Sequence, residues 1–265
     1  MIHQAVLKVR YRQPRVGARK LHKHIHEELS SQGIQVGRDR LIELLREWDL
    51  LIRPKKNYKR TTNSRHRFKV HKNLIKEKES QRPNEIFVSD ITYIKILEGY
   101  CYLFLITDKH SHKIVGYDIN LSLGIEGAIA ALEMALKQID HPEPLIHHSD
   151  RGIQYCSHDY TQLLENNKVE ISMTEDNHVY ENAMAERING ILKTELLGDT
   201  QYVPFSGIKL LVAEAIEIYN KERLHMSLNY KTPEEVHNTD ETSDSLTKDR
   251  GSTGLLEAKF LNHGN

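Results

Sequence analysis

Apolar residues recur with a helical period near the N-terminus of the chain. Residues 18–31 place Leu21, Ile25 and Leu29 at a spacing of four, which predicts a helix with one apolar face. A second helix is predicted over residues 38–50. Its apolar stripe consists of Leu41, Leu44, Leu45 and Trp48.

A glycine turn separates these two helices. Gly33 follows the last apolar position of the first helix, and glycine is typical of a helix end. In the second helix, Arg38, Arg40 and Arg46 lie outside the apolar stripe. Helix, glycine turn and basic second helix together indicate a helix-turn-helix-like plan, in which the second helix enters a major groove. Any small helical hairpin would show the same pattern, so this indication is weak by itself.

The centre of the chain changes to a strand period. Three apolar, β-rich runs, 86–96, 100–107 and 114–120, are separated by short polar segments, which predicts an antiparallel meander. Helices and short strands alternate after it. The order of elements describes an α/β fold of the ribonuclease-H-like type, a mixed sheet covered by helices. The predicted elements are helix 124–139, strand 145–148, helix 157–167, strand 169–172, and helices 182–197 and 206–220.

Composition divides the chain into five regions. We expect a helix-turn-helix-like DNA-binding region over 1–52, a basic linker over 53–82 and a catalytic core over 83–200. A helical extension of the core follows over 201–237, and a polar tail, expected to be poorly ordered, over 238–265. The linker is dense in Lys and Arg without apolar periodicity, which is typical of an arm that follows DNA.

The net charge of zero conceals two oppositely charged halves. Residues 1–82 contain 22 Lys+Arg and 8 Asp+Glu, a balance of +14, and the remaining residues carry −14. This division suits an enzyme that grips a phosphate backbone with one part and holds metal with another. A solvated basic tail beside an ordinary acidic domain would give the same balance. Two cysteines without CxxC spacing disfavour structural zinc, and we expect most of the 16 histidines to lie at the surface.

Three acids occupy unusual places. Asp90 interrupts an apolar strand, Asp150 follows a short strand, and Glu186 lies on a helix. An unpaired carboxylate in a buried strand is costly, so Asp90 favours a metal site, because Mg²⁺ and Mn²⁺ prefer oxygen ligands. For Asp150 alone, a turn or N-cap residue would be the preferred interpretation. Like charge among the three should raise the pKa of at least one of them.

The helix that carries Glu186 has a polar face. At 100° per residue, Asn182, Asn189 and Lys193 lie near the face of Glu186, whereas Ile188 lies on the opposite, apolar side. Lys193 could contact a DNA phosphate beside the metals. As a single observation it would be an ordinary surface lysine.

The chain resembles the large open-reading-frame product of IS3-type insertion sequences, a DDE transposase with a retroviral-integrase-like core. The resemblance covers all but about the last 27 residues. It implies that Asp90, Asp150 and Glu186 form the catalytic, metal-binding triad and that Lys193 is the family's basic residue near it. The motifs that carry it are Gly17-Ala-Arg-Lys-Leu-His, Val88-Ser-Asp-Ile-Thr-Tyr-Ile, His147-His-Ser-Asp-Arg-Gly-Ile-Gln-Tyr, Asn182-Ala-Met-Ala-Glu and Tyr219-Asn-Lys-Glu-Arg-Leu-His.

The resemblance implies metal-dependent 3′-end cleavage and strand transfer with two Mg²⁺ or Mn²⁺ ions per active site. The expected partners are double-stranded DNA of the element's terminal repeats and target, further copies of the chain on that DNA, and an upstream product joined by frameshift. We expect a cytoplasmic, nucleoid-associated protein without a membrane partner. The candidate DNA contacts are Lys193, Asn182, Asn189, Arg38, Arg40, Lys55, Lys56 and Arg60.

Two other functions remain open from the sequence. A catalytically silent DNA-binding regulator would keep the basic region, although the unaltered triad disfavours it. A plain metal nuclease of the same fold would cut DNA without joining it. A Ser-His-Asp hydrolase is excluded because no G-x-S-x-G motif is present, and a basic arm is foreign to a paired-carboxylate glycosidase.

Overall fold

A five-stranded mixed sheet forms the centre of the computed structural model, which describes residues 1–52, 69–76, 78–139, 144–175 and 183–239. The strands lie in the order β3-β2-β1-β4-β5. The first three are antiparallel, and β4 pairs parallel with both β1 and β5. Their bounds are β1 Ile86–Ile96, β2 Gly99–Asp108, β3 Ile114–Asn120, β4 Ile146–Ser149 and β5 Glu170–Met173.

The predicted meander is confirmed. The first hairpin closes where Ile96 pairs with Gly99, whose φ of 120° lies in a region that favours glycine. The second hairpin joins β2 to β3 with a register shift at Ile106 and Thr107. Because β1 lies between β2 and β4, apolar residues on both of its faces are buried, as its sequence indicates.

Helices cover both faces of the sheet. One face packs against α4 (Ile125–Leu136) and α6 (His158–Asn166), which a short helix α5 (Ile153–Cys156) precedes. The other face packs against α7 (Ala183–Ile191) and α8 (Phe205–Lys221). A side chain at Gly116 of β3 would overlap with the Ala131 carbonyl oxygen, so this glycine permits α4 to lie directly on the sheet.

The N-terminal region contains three helices, not two. Helices α2 (Ala18–Ser31) and α3 (Arg38–Glu47) bury the residues that the apolar stripes predict. An additional helix, α1 (Ile2–Arg12), packs on α2 and buries Ala5 and Val6. The sequence prediction missed it, although Ile2, Ala5, Val6 and Val9 have the spacing of an apolar helix face.

Two further boundaries differ from the sequence predictions. The helix predicted over 182–197 is α-helical only to Ile191, and Leu192–Leu197 form a π-helical turn. Residues 69–76 of the predicted linker run beside β5, where the Met173 amide donates to the Lys72 carbonyl and the Leu74 amide donates to Ser172. Most of the predicted basic linker and of the polar tail lies outside the described residues. No helix in the described ranges is long and apolar enough to cross a membrane.

Candidate active site

Two of the predicted acids are brought together by parallel strand pairing. Val88 of β1 pairs with His148 of β4; Asp90 comes two residues later on β1, and Asp150 comes two residues after His148, directly after β4. Extending the register by two residues therefore places the two aspartates side by side at the carboxyl end of β4. Asp150 also accepts a hydrogen bond from the Gly152 amide at 2.9 Å, so it shapes the turn into α5 as well.

Helix α7 presents a polar face to the same place. The Asn189 amide nitrogen donates to Asp90 Oδ2 at 2.6 Å, and Asn189 is buried. Glu186 lies almost one turn before Asn189 and is exposed, whereas Lys193 lies one turn after it and is half-buried. The Lys193 ammonium donates to Thr92 Oγ1 at 3.2 Å and lies 4.5 Å from the Tyr93 ring centroid. The polar helix face predicted from the spacing thus contacts β1.

The electrostatics of the site centre on Asp90. Burial, together with the negative charges of Asp150 and Glu186, raises the pKa of Asp90 to about 7, although the Ile91 amide and Asn189 hydrogen-bond to its carboxylate. This agrees with the expectation that at least one of the three acids has a raised pKa. Burial lowers the pKa of the Lys193 ammonium, and the charge of Asp90 acts in the opposite direction.

A buried polar layer supports the two strand ends. His147 Nε2 lies 2.6 Å from Ser89 Oγ and 2.9 Å from the Tyr160 hydroxyl, which ties β1, β4 and α6 together. His148 Nδ1 lies 2.8 Å from Ser172 Oγ of β5. Burial and the neighbouring His148 lower the pKa of His147 to about 3, so this ring is neutral. These contacts were not predicted: we expected most histidines at the surface, and His147 and His148 are exceptions because strand pairing buries both rings.

The donor atoms suit a hard cation, although they do not form a closed metal site. In the described ranges, no group of three or more His, Cys, Asp or Glu side chains is arranged to hold a metal ion. Asp90 and Asp150 nevertheless supply adjacent carboxylate oxygens. The side-chain oxygen of Asn189 beside them is buried without a hydrogen-bond partner among the residues described. Mg²⁺ commonly takes one or two carboxylates and completes its shell with water and substrate phosphate, so these residues fit such an ion.

The candidate DNA contacts are distributed unevenly. Lys193 and Asn189 lie at the acidic site, as described above. Arg38 and Arg40 lie exposed on α3, where Arg38 pairs with Asp39 and Arg40 with Glu43 and Glu47. Asn182, Lys55, Lys56 and Arg60 lie outside the described residues.

Comparison with known proteins connects this geometry to a family. Two family models, both described as integrase core domain, match residues 80–178 and 167–233. An uncharacterized 31 kDa protein of insertion element IS600 from Shigella sonnei is 37% identical over 213 residues, which are 80% of this chain and 78% of that protein. The transposase for insertion sequence element IS629 from the same organism is 31% identical over 214 residues, 80% of this chain and 71% of the relative. The transposase InsF for insertion sequence IS3A of Escherichia coli (strain K12) is 29% identical, with 80% and 74% covered.

Solved structures share the fold. The catalytic core domain of HTLV-2 integrase in complex with magnesium (trimeric form) superimposes with a TM-score of 0.50 at 20% identity, covering 60% of this chain and 99% of that chain. A simian T-cell lymphotropic virus intasome in complex with PP2A regulatory subunit B56 gamma gives a TM-score of 0.53 at 20% identity, covering 83% and 74%. At this identity the likeness concerns the fold alone.

Proposed function

Because the chain belongs to the IS3-type insertion-sequence transposases with an integrase core domain, we propose that it cleaves the 3′ ends of its element and joins them to target DNA. The family acts in DNA transposition and implies a nucleotidyl-transferase enzyme. Cleavage and joining are both phosphoryl transfers. In cleavage, water attacks a phosphodiester at the element end and displaces its 3′ oxygen. In joining, the freed 3′-OH attacks a phosphodiester of the target and displaces the 3′ oxygen there. One active site can serve both steps.

The observation that carries this proposal is that the negative charges of Asp150 and Glu186 both act on Asp90. Burial with two like charges nearby keeps the pKa of Asp90 near 7, a costly arrangement in the absence of a cation. Perturbed carboxylates with a buried polar partner are typical of active sites. Asn189, on the face of α7 that carries Glu186, would orient Asp90 through its 2.6 Å hydrogen bond.

Two divalent ions, Mg²⁺ or Mn²⁺, held by Asp90, Asp150 and Glu186 would supply charge for the attacking and leaving oxygens. One structural neighbour was solved with magnesium. Glu186 is exposed and follows residues 176–182, which lie outside the described ranges, so its approach to the two aspartates belongs to the proposal. The role of the chain's own groups would be to aim three carboxylates at one phosphate.

The substrate is double-stranded DNA, of both the element ends and the target. Lys193 would hold a phosphate beside the acids, since its ammonium lies within the electrostatic range of Asp90. Two element ends must meet for transposition, so we expect an oligomer of the chain on DNA. We also expect that fusion to an upstream product supplies tight binding of the terminal repeats.

The test is metal-dependent cleavage and joining of a labelled element end. Wild type should cut and join with Mg²⁺ or Mn²⁺ and do neither with EDTA. Asp90→Asn, Asp150→Asn and Glu186→Gln should each lower both rates roughly a thousandfold, as expected when several kcal/mol of transition-state stabilisation are lost. Glu170→Gln, which neutralises an exposed acid on β5, is the matched control and should leave both rates unchanged.

The assay also separates the two other functions. A chain that binds DNA but never nicks it, in any metal, would be a silent regulator of transposition. A chain that nicks with metal but never forms joined product would be a nuclease of the same fold. Equal activity of Glu170→Gln and the three active-site variants would remove the triad from the mechanism.

A further inference from the structure

A basic cleft lies far along the chain from the acidic site, between the N-terminal helices and the segment after α8. Its volume is about 360 Å³. Cationic and neutral polar groups line it, and none of the lining residues is an acid. They are Arg19, His22 and Lys23 of α2, Arg38 at the start of α3, and Tyr230.

The three residues from α2 share one face of that helix. Arg19, His22 and Lys23 are three and four residues apart, so their side chains lie above one another. Neither Arg19 nor Lys23 forms a hydrogen bond or ion pair within the described part of the chain. His22 Nε2 donates to the Val36 carbonyl at 2.9 Å, which holds the ring against the loop before α3. The α2 face thus offers two unpaired cations and one fixed ring.

Arg38 adds a third cation to the cleft, and little free energy is lost when it gives up its present partner. It pairs at 2.9 Å with its neighbour Asp39, but the two side chains are 55% and 79% exposed. An ion pair this exposed contributes little and exchanges readily for another partner. A phosphate that enters the cleft can therefore share or replace Asp39 as the partner of Arg38.

Tyr230 is brought to the cleft by a tight turn. The His225 amide donates to the Lys231 carbonyl at 3.0 Å, and the Tyr230 amide donates to the His225 carbonyl at 2.8 Å. Asn229 and Tyr230 both have positive φ, 54° and 62°, which is uncommon for a residue as large as tyrosine. The turn thereby directs a tyrosine from the core side towards the N-terminal helices.

Ion pairs fix the two walls of the cleft relative to each other. Arg12 of α1 forms ion pairs with Glu214 of α8 and with Glu222, which directly follows α8, each at 2.6 Å. Lys20, next to Arg19 on α2, reaches Glu195 at 3.4 Å. The cleft is therefore a composite of two parts of the chain that are already docked, not a gap between independent bodies.

We propose that this cleft binds a phosphate group of the DNA backbone, with Arg19, Lys23 and Arg38 supplying charge and the Tyr230 hydroxyl donating a hydrogen bond. The ligand class follows from a site with several cations, one phenol and no carboxylate. A phosphate bound there contacts the N-terminal helices and the core at once, so it clamps them together on DNA. The inference goes beyond the proposed chemistry and rests on it only in taking DNA as the ligand.

The experiment measures the affinity of the full-length chain for a duplex over a range of salt, without divalent metal. Arg19→Gln/Lys23→Gln should lower the slope of log affinity against log salt by about 0.9, as expected when one phosphate is no longer neutralised. The charge-matched control Lys137→Gln/Lys168→Gln, which changes two exposed lysines outside the cleft, should leave the slope unchanged. Tyr230→Phe should weaken binding roughly two- to tenfold without changing the slope.

A double-mutant cycle tests whether the two walls share one phosphate. Because Lys23 and Tyr230 would bind the same group, Lys23→Gln and Tyr230→Phe combined should cost less than the product of their separate effects. Inorganic phosphate, added as competitor at constant ionic strength, should weaken duplex binding by wild type more than duplex binding by the variant that combines Lys23→Gln and Tyr230→Phe. Equal melting temperatures of all variants confirm that folding is intact.

The outcomes separate this inference from the proposed function. Three results would overturn the phosphate-binding role of the cleft. They are equal salt slopes in the Arg19→Gln/Lys23→Gln variant and its control, strictly multiplicative effects of Lys23→Gln and Tyr230→Phe on affinity, and no duplex binding by wild type. If the cleft variant keeps wild-type binding while metal-dependent cleavage is present, the cleft is wrong and the catalytic proposal stands. If the cleft variant shows the lower slope while no chain cuts DNA, the cleft stands and the catalytic proposal fails.

Discussion

Within the acidic site, the fold disfavours the ionised form of the Asp90 carboxyl group. Its pKa of about 7 lies above the ordinary value of 3.8, first because of burial and then because of Asp150 and Glu186. A raised carboxyl pKa means that the native state holds a proton that the unfolded state has lost. The stability associated with that proton is complete below about pH 4 and is lost as pH rises through 7.

We therefore expect Asp90→Asn to be more stable than wild type in alkaline solution. Between pH 5.5 and 8.5 wild type should lose about 2 kcal/mol more unfolding free energy than Asp90→Asn. Melting temperatures across that range measure the difference, and Asp118→Asn on β3 is the control. Added Mg²⁺ should raise the melting temperature of wild type and not that of Asp90→Asn. Parallel pH profiles of wild type and Asp90→Asn would contradict the expectation.

Lys193 has structural contacts as well as a proposed role towards DNA. Its ammonium is bonded to Thr92 and stacked over Tyr93, so it is held in place before any DNA arrives. A positioned cation beside the acids should act on one phosphate among the many that bind the duplex.

Lys193→Ala should accordingly reduce the joining rate more than DNA affinity. We expect at least a tenfold loss of joining, which is about 1.4 kcal/mol, with an affinity loss under threefold. Joining assays and duplex titrations of the same protein measure both. Thr92→Val, which removes the hydrogen-bond partner but keeps the lysine, should have a smaller effect. If Lys193→Ala reduces DNA affinity and joining equally, or reduces neither, Lys193 has no role in the active site and is an ordinary surface lysine.

At the scale of elements, the π-helical turn after α7 is held by charged side chains. Glu195 in this turn accepts two hydrogen bonds from Arg223, at 2.9 and 3.0 Å, and one from Lys20 at 3.4 Å. The Arg223 side chain is only 5% exposed. Burial and the charge of Arg223 lower the pKa of Lys20 to about 8 despite Glu195. Glu195 thus holds two partly desolvated cations at the end of the helix that carries Glu186.

Glu195→Gln should destabilise the chain by about 3 kcal/mol or more, because it leaves a buried arginine without its counter-charge. Unfolding by urea measures the loss. Glu43→Gln removes one of the two partners of Arg40 in exposed pairs on α3 and should have no measurable effect. A cost for Glu195→Gln as small as that of Glu43→Gln would show that water, not Glu195, compensates Arg223.

At the scale of the whole molecule, the basic and acidic halves are joined rather than separate. Arg12 and Lys20 of the basic half pair with acids of α8 and of the π-helical turn. Residues 69–76, inside the basic half, hydrogen-bond to β5. Part of the positive charge is therefore used within the fold.

Deleting residues 1–68 should flatten the salt dependence of duplex binding while it preserves residues 69–76, which run beside β5. This segment contains 17 Lys+Arg and 6 Asp+Glu, a net charge of +11. The slope should fall by about 0.9 for each phosphate that the shortened chain no longer neutralises. Lys55→Gln/Lys56→Gln/Arg60→Gln, which removes three positive charges from the linker and keeps the helices, should give an intermediate slope. A deletion that leaves the slope unchanged would show that the acidic half grips the backbone by itself.

Local pattern in the sequence determined which elements form. Apolar spacing predicted α2, α3, the meander and α8 close to their observed bounds, because each buries one face whose period is visible in a short window. Motif spacing likewise singled out Asp90, Asp150 and Glu186. Helix α1 was not predicted, although positions 2, 5, 6 and 9 carry the same helical spacing of apolar residues.

Tertiary structure alone decided which elements meet. The pairing of Val88 with His148, which sets Asp90 beside Asp150, depends on the packing of β4 against β1, and no local period encodes it. Other contacts join residues 28 to more than 200 positions apart in the chain. They are the buried contact between Ser89 and His147, the pairing of Glu195 with Arg223 and Lys20, and the position of Tyr230 beside α2. Such contacts arise when long loops close around a common core, so their partners become visible only in the folded chain.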